Sequence, residues 1–149
     1  MIVNRTQEDV EKAISIIREK VQAFQPLTDD DLSVLEKGCV TVQTLNRIEG
    51  KTKEMFDVLS GMLYVAGHIE TTSWSFGQIF SELDFKRIIQ NIDKIRKSFL
   101  VYKTTPQTPS VGFDYMIFND MEKILLDLEA YVNDVRDNYR MCGVAVCGD

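Results

Sequence analysis

A single histidine in 149 residues removes any two-histidine metal centre from within one chain. The cysteines are few and odd in number, Cys39, Cys142 and Cys147. Without a secretory signal they read as free thiols, not as a disulfide framework. Long apolar runs are missing: none approaches the ~18 residues that a membrane-spanning helix needs, so membrane insertion is not expected. Cations are outnumbered, the formal net charge being -6, and the Lys and Arg residues are dispersed. Nucleic acid is therefore not an expected partner, because phosphate-binding surfaces are basic. The opening MIVNRTQEDVEKA carries acids where a secretory signal would carry a basic region followed by an apolar core. That reads as a protein made in the cytoplasm.

What the chain does have is amphipathic periodicity. Hydrophobic residues make up 44% of it, enough for one domain to bury a core. The stretch TVQTLNRIEGKTKEMFDVLSGML, residues 41–63, sets Leu45, Ile48, Thr52, Met55, Leu59 and Met62 at alternating steps of three and four. That spacing keeps side chains on one helix face. Asn46, Arg47 and Glu49 flank the stripe, and Gly50 sits inside it as a weak point of roughly 1 kcal/mol against Ala, a place for a kink or a close backbone contact.

In chain order, Thr6 caps a helix over 7–24, with Asp9 as a weaker capping-box partner than Glu or Gln; Pro26 then disfavours helix at the residue before it. Thr28 with Asp29, Asp30 and Asp31 starts a short helix over 29–37 that Gly38 closes. The central helix spans 42–63. The periodicity fails over 64–80, an extended loop or short hairpin with Trp74 and Phe76 available to pin it. Ser81 and Asp84 cap a long helix over 82–102, seamed by Phe85, Ile88, Ile92, Ile95, Phe99 and Tyr102. Pro106 and Pro109 make TTPQTPSVG a stiff surface linker. Asp114 caps the last helix, 115–138, seamed by Ile117, Met121, Ile124, Leu128, Tyr131 and Val135, with Asp120, Glu122, Asp127, Glu129 and Asp134 on a solvated face. The tail 139–149, with β-branched Val144 and Val146 between glycines, reads as a short extended strand. The expected fold class is all-α. It is one domain, an antiparallel helical bundle of three long helices and one or two shorter ones with an extended C-terminal strand. Most stripes read as internal core, and part of a seam is available to a neighbouring subunit.

No reaction chemistry emerges. His68 beside Glu70 reads as a surface residue, and neither Cys39 nor Cys142 has the neighbours that activate a thiol. Cys142 and Cys147 are too far apart for a redox CxxC and have too few companions for a zinc site. The acids after Thr28 lack the Gly and the distant Glu of a calcium loop, and Gly50-Lys51-Thr52 lacks the upstream glycine of a phosphate loop. No catalytic, metal-binding or cofactor-binding residue is expected, and no enzyme.

Several segments together carry a resemblance. RTQEDV at 5–10, LTDDD at 27–31 and KGCVTVQTLNRIEGKTKEM at 37–55 come first. Trp74 then precedes a helix with Lys86-Arg87-Ile88 and Asn91-Ile92, followed by TTPQTP at 104–109, NDMEKIL at 119–125, YRMCG at 139–143 and a terminal CGD. In this order they resemble a group of small tail proteins encoded by phages and prophages of Gram-positive bacteria. The resemblance implies a structural part of a tail tip, baseplate or fibre, or of a phage-tail-like bacteriocin. The implied partners are other tail, baseplate or fibre proteins, with assembly into the particle after synthesis in the bacterial cytoplasm. Residues expected at partner contacts are Asn46, Arg47 and Glu49, Trp74, Tyr139 and Arg140, and Val144 and Val146, the last two through addition to a partner's sheet edge. Arg47 and Glu49 serve equally well as an ordinary salt bridge. The same seams suit a monomer or a homo-oligomeric ring. The competing reading is a small cytoplasmic helical adaptor, regulator or assembly chaperone.

Overall fold

The structure is a computed structural model and describes residues 1–110, 112 and 114–146, with 139–146 as backbone alone. It is helical, with no strand among the described residues. The helices are α1 (Gln7–Ile16, continued by a π-helical turn over Ile17–Val21), α2 (Asp29–Gly38), α3 (Val42–Gly61), α4 (Glu82–Ser98) and α5 (Tyr115–Val146). Complete capping boxes start α1, α2 and α4: Thr6, Thr28 and Ser81 each accept the amide of the residue three on, and Asp9, Asp31 and Asp84 return the bond to the cap backbone. Aspartate is short for this role, yet it closes all three boxes. Thr41 caps α3 through the amide of Thr44.

Helices α3, α4 and α5 pack against one another around Ile48, Leu59, Phe85, Ile92, Ile95, Met121, Ile124 and Leu128, all fully buried. Their partners advance together. Glu49 meets Arg87, and one heptad later the Phe56 ring lies under the Lys94 ammonium. Phe85 stacks near Phe118, and Phe99 on Tyr131. Arg47 pairs with Glu122, and Lys51 with Glu129. The three helices are therefore parallel, correcting the antiparallel arrangement expected from sequence. The connections make this feasible. A 17-residue helix such as α4 is about 26 Å long at about 1.5 Å per residue, and residues 62–81, extended at about 3.3 Å each, can retrace it.

The first connection does so. It leaves the C-terminal end of α3 through Leu63 in the left-handed region (φ 63°). It then passes Lys94, which holds the carbonyl of His68, and Asn91 and Arg87, which hold that of Glu70, and it reaches Trp74 beside Asn46. The second connection returns in the same way, through Thr105 to Asp127, the Pro106 carbonyl to Arg96, and Thr108 to Asp93. The Thr-Pro segment is thus packed onto α4 and α5, with Thr105 buried, where the sequence suggests a surface linker. Helix α4 also ends earlier than its apolar repeat, because Phe99 turns into extended backbone to join Tyr64 and Tyr131.

The α1–α2 hairpin packs chiefly on itself. Gly38 is the point of closest approach: a Cβ there would lie 2.2 Å from the Asp9 carbonyl oxygen and 2.5 Å from the Ala13 Cβ. At its other end the hairpin turns through Phe24 (φ 53°), an exposed bulky residue in the left-handed region. The opposite correction applies to the C-terminus, where helix α5 continues through Val146 over most of the tail read as a strand. Adding one residue to an existing helix gains a hydrogen bond without a new nucleus, and β-branched residues cost only a few tenths of a kcal/mol. Cys147 to Asp149 lie outside the described residues.

Two glycines give opposite expectations. Gly38→Ala should destabilise the protein by about 1–3 kcal/mol through overpacking. Gly50→Ala, whose Cβ would meet nothing within 4 Å, should stabilise it by up to about 1 kcal/mol. Chemical denaturation of the two variants beside the parent checks both.

Candidate functional site

The polar flank of α3 meets other segments of the chain, with Glu49 buried, Arg47 half-buried and Asn46 at the exposed edge, and it forms half of a device that occurs twice. In the first copy, Asn46 pairs its side-chain amide with the main chain of Trp74: its Oδ1 accepts the Trp74 N–H at 2.7 Å and its Nδ2 donates to the Trp74 carbonyl at 2.9 Å. Three residues on, and so on an adjoining part of the same helix face, the Glu49 carboxylate takes four donors. Arg87 supplies two at 2.7 Å, the Trp74 indole one at 3.0 Å and the Thr72 amide one at 3.2 Å. Glu49 is only 2% exposed. The fork of Arg87 is matched to it by planarity, and Glu49 holds the guanidinium pKa above its ordinary value.

The second copy is on α5. Asn119 Oδ1 accepts the Arg5 N–H at 3.0 Å and its Nδ2 donates to the Arg5 carbonyl at 2.9 Å. Three residues on, Glu122 is 0% exposed and takes the Arg5 guanidinium at 3.3 Å, the Arg47 guanidinium at 2.8 Å and 3.1 Å, and the Ile2 amide. Arg5 also donates to the Ile2 carbonyl. Arg47 reaches Glu36 of α2 as well. Burial alone would lower the Arg47 pKa, but its two carboxylates outweigh this and raise it.

Asn-x-x-Glu on α3 and Asn-x-x-Glu on α5 therefore do the same work. Each asparagine grips the N–H and the C=O of one residue in an extended segment, and each glutamate takes a further amide of that segment together with arginine. An asparagine side chain carries the donor and acceptor of a peptide group, so it substitutes for a neighbouring β-strand on a helix face. The arrangement binds polypeptide backbone and offers no nucleophile, base or open ligand position.

Of the residues expected at partner contacts, Asn46, Glu49 and Trp74 are brought together, inside the chain, and Arg47 joins the second cluster through Glu122. The side chains of Tyr139, Arg140, Val144 and Val146 lie outside the described residues. Sequence reasoning misses Glu122 and Asp127, placed on a solvated face yet buried. The recurrence of N-x-x-E in NRIE and NDME is the signal by which the first could have been found. Phe76, expected to pin its loop, is fully exposed, and Trp74 alone is anchored.

Other candidate chemistry does not converge. Cys39, its thiol pKa raised by burial, lines a cavity of about 150 Å³ with Val10, Tyr115 and Phe118, at the end of the core where α5 starts. His68 is exposed, beside Lys94 on α4. Among the described residues no three His, Cys, Asp or Glu side chains group as a metal site, and no helix is long and apolar enough to cross a membrane.

Glu49→Gln should lower stability by about 1–3 kcal/mol, because it takes the paired charge from a half-buried guanidinium that then keeps only Asp84, at 3.7 Å, as counter-charge. Trp74 fluorescence should shift to the red in the native state as the loop loosens. The second expectation concerns Asp31, whose pKa falls from 3.8 to about 2 because Lys20 and the Thr28 cap bind its charged form. A depressed carboxyl pKa gives stability that is whole above pH 3.8 and is lost as pH falls toward about 2. A pH series of carboxyl-carbon NMR shifts should place the Asp31 midpoint near 2, and Lys20→Met should move it upward.

No protein-family model matches the chain, and neither curated proteins nor solved structures give a significant match.

Proposed function

We propose that the chain is a non-enzymatic structural component of a phage tail or phage-tail-like particle, made in the bacterial cytoplasm and assembled with baseplate, tail-tip or fibre proteins. The observation that carries this reading is where the chain keeps its polar and apolar groups. The buried Glu49 and Glu122, with Asn46 and Asn119 beside them, are spent on gripping extended backbone, and no buried side-chain polar atom among the described residues lacks a partner. Phe76, Ile79 and Leu83, by contrast, stand exposed at one end of the three-helix core, and Leu63, Tyr64 and Leu100 at the other. Apolar side chains on ordered backbone, outside a satisfied interior, suit contacts with other proteins. The ordered run of segments from RTQEDV to NDMEKIL adds the resemblance to phage tail proteins.

In this role the helical core is a spacer and its ends are the joints. Mass analysis of purified particles from a strain that carries the gene should find this chain in a fixed ratio to tail proteins. Its absence from assembled particles would leave the reading of an adaptor or assembly chaperone.

A further inference from the structure

The two ends of the parallel core are unlike in shape and charge. At the end where α3 and α4 start, Ser75 to Gln78 form a turn: the Gln78 amide donates to the Ser75 carbonyl at 3.3 Å, and the Ser75 amide donates to the Gln78 side chain at 2.6 Å. Gly77 supplies the positive φ of 89° that this turn requires. The turn is rooted by Trp74 in the Asn46–Glu49 clamp and by Phe80 against Trp74 and Phe85. It presents Phe76 at 100% exposure, with Ile79 and Leu83 following. A phenyl ring held outward on anchored backbone loses little freedom on docking.

At the opposite end a groove of about 290 Å³ lies between the first connection, α4 and α5. Its lining is mostly apolar: Tyr64, Phe99, Leu100, Tyr131 and Val135, with Lys97 at the edge. The stacked rings of Tyr64, Phe99 and Tyr131 build its floor. The charges differ in the same sense. Beside the Phe76 turn the first turn of α4 carries Glu82 and Asp84, whereas beside the groove its last turn carries Arg96 and Lys97. Glu82 and Lys97 are both well exposed, at 63% and 70% of their side chains, and exposed Lys103 adds charge at the groove end. Lys86, Asp93 and Asp134, opposing charges at these ends, are already engaged with Glu82, Lys97 and Tyr102 respectively, and exposed Asp137, two residues past Val135 on α5, is a further acid near the groove.

We infer that the occupant of this groove is the Phe76 turn of a second copy of the chain, so that copies join head to tail, with Glu82 of one facing Lys97 and Lys103 of the next. The inference rests on the assembly reading above and names the partner. Because knob and groove are different surfaces, the contact is heterologous. Each copy that docks leaves a free knob and a free groove, and the assembly grows past a dimer.

Sedimentation velocity of the full chain over a concentration series tests it, with Phe76→Asp as the knob variant and Leu100→Asp as the groove variant. Both side chains are exposed in the single chain, so far-UV circular dichroism should match the parent. The parent should form species larger than a dimer, and they should weaken with added salt. Each variant alone should remain monomeric, its self-association weakened at least about tenfold, the factor that one lost anchor contact of about 1.4 kcal/mol gives. An equimolar mixture of the two should form one-to-one pairs and nothing longer, since only one intact knob meets one intact groove. A parent that stays monomeric to its solubility limit, a parent that stops at a dimer, or variants that fail to pair when mixed would each overturn the contact. A monomeric chain that is present in particles rejects only this inference. A self-associating chain that is absent from them rejects only the tail assignment.

Discussion

The Glu49 carboxylate is the constraint on which the rest of the core depends. A buried carboxylate is tolerable only when its lone pairs are met, and Glu49 draws its donors from three places: Arg87 on α4, the indole of Trp74, and the Thr72 amide in the connection between helices. Satisfying one charge therefore fixes the position of α4 against α3 and the path of the strap between them. Parallel packing follows. Were α4 to run the other way after a short turn, Thr72 and Trp74 could not reach Asn46 and Glu49 while Arg87 approached from the same end.

That dependence explains why some of the architecture is legible in the sequence and some is not. Helix positions are local properties: an N-cap threonine or serine with an aspartate three residues on, then apolar residues at steps of three and four, locate the starts of α1, α2 and α4. Helix direction is not local. The repeats on α3 and α4 are equally compatible with either sense, and the deciding contact, Asn91 and Arg87 of α4 holding the Glu70 carbonyl, is made to a segment where no periodicity marks a position. The long connections were the available hint, since an antiparallel pair needs only a few residues to join it.

The candidate site was legible in part for the same reason. Asn46, Arg47 and Glu49 stand out as polar residues beside an apolar stripe, but the stripe alone does not say whether they face a partner or the chain itself. Glu122 was harder. On a helix with acids at 120, 122, 127 and 129 it looks like part of a solvated face, and it becomes an interior group through Arg47 on α3 and through the return of Arg5 from more than a hundred residues away. Periodicity assigns a face to a helix. It does not tell which long-range cation will cover an acid on the border of that face.

The grip of Asn119 and Glu122 on the first residues has a mechanical side. Tension applied at Met1 meets the Ile2 and Arg5 bonds to α5 before it reaches α1. Through Glu122 it passes to Arg47 on α3, so the load enters the three-helix core near the end where α3 and α5 start, ahead of the α1–α2 hairpin. The hairpin, relieved of force, is free to keep a thin core of its own, and the chain can be tethered by its front end without unravelling from it.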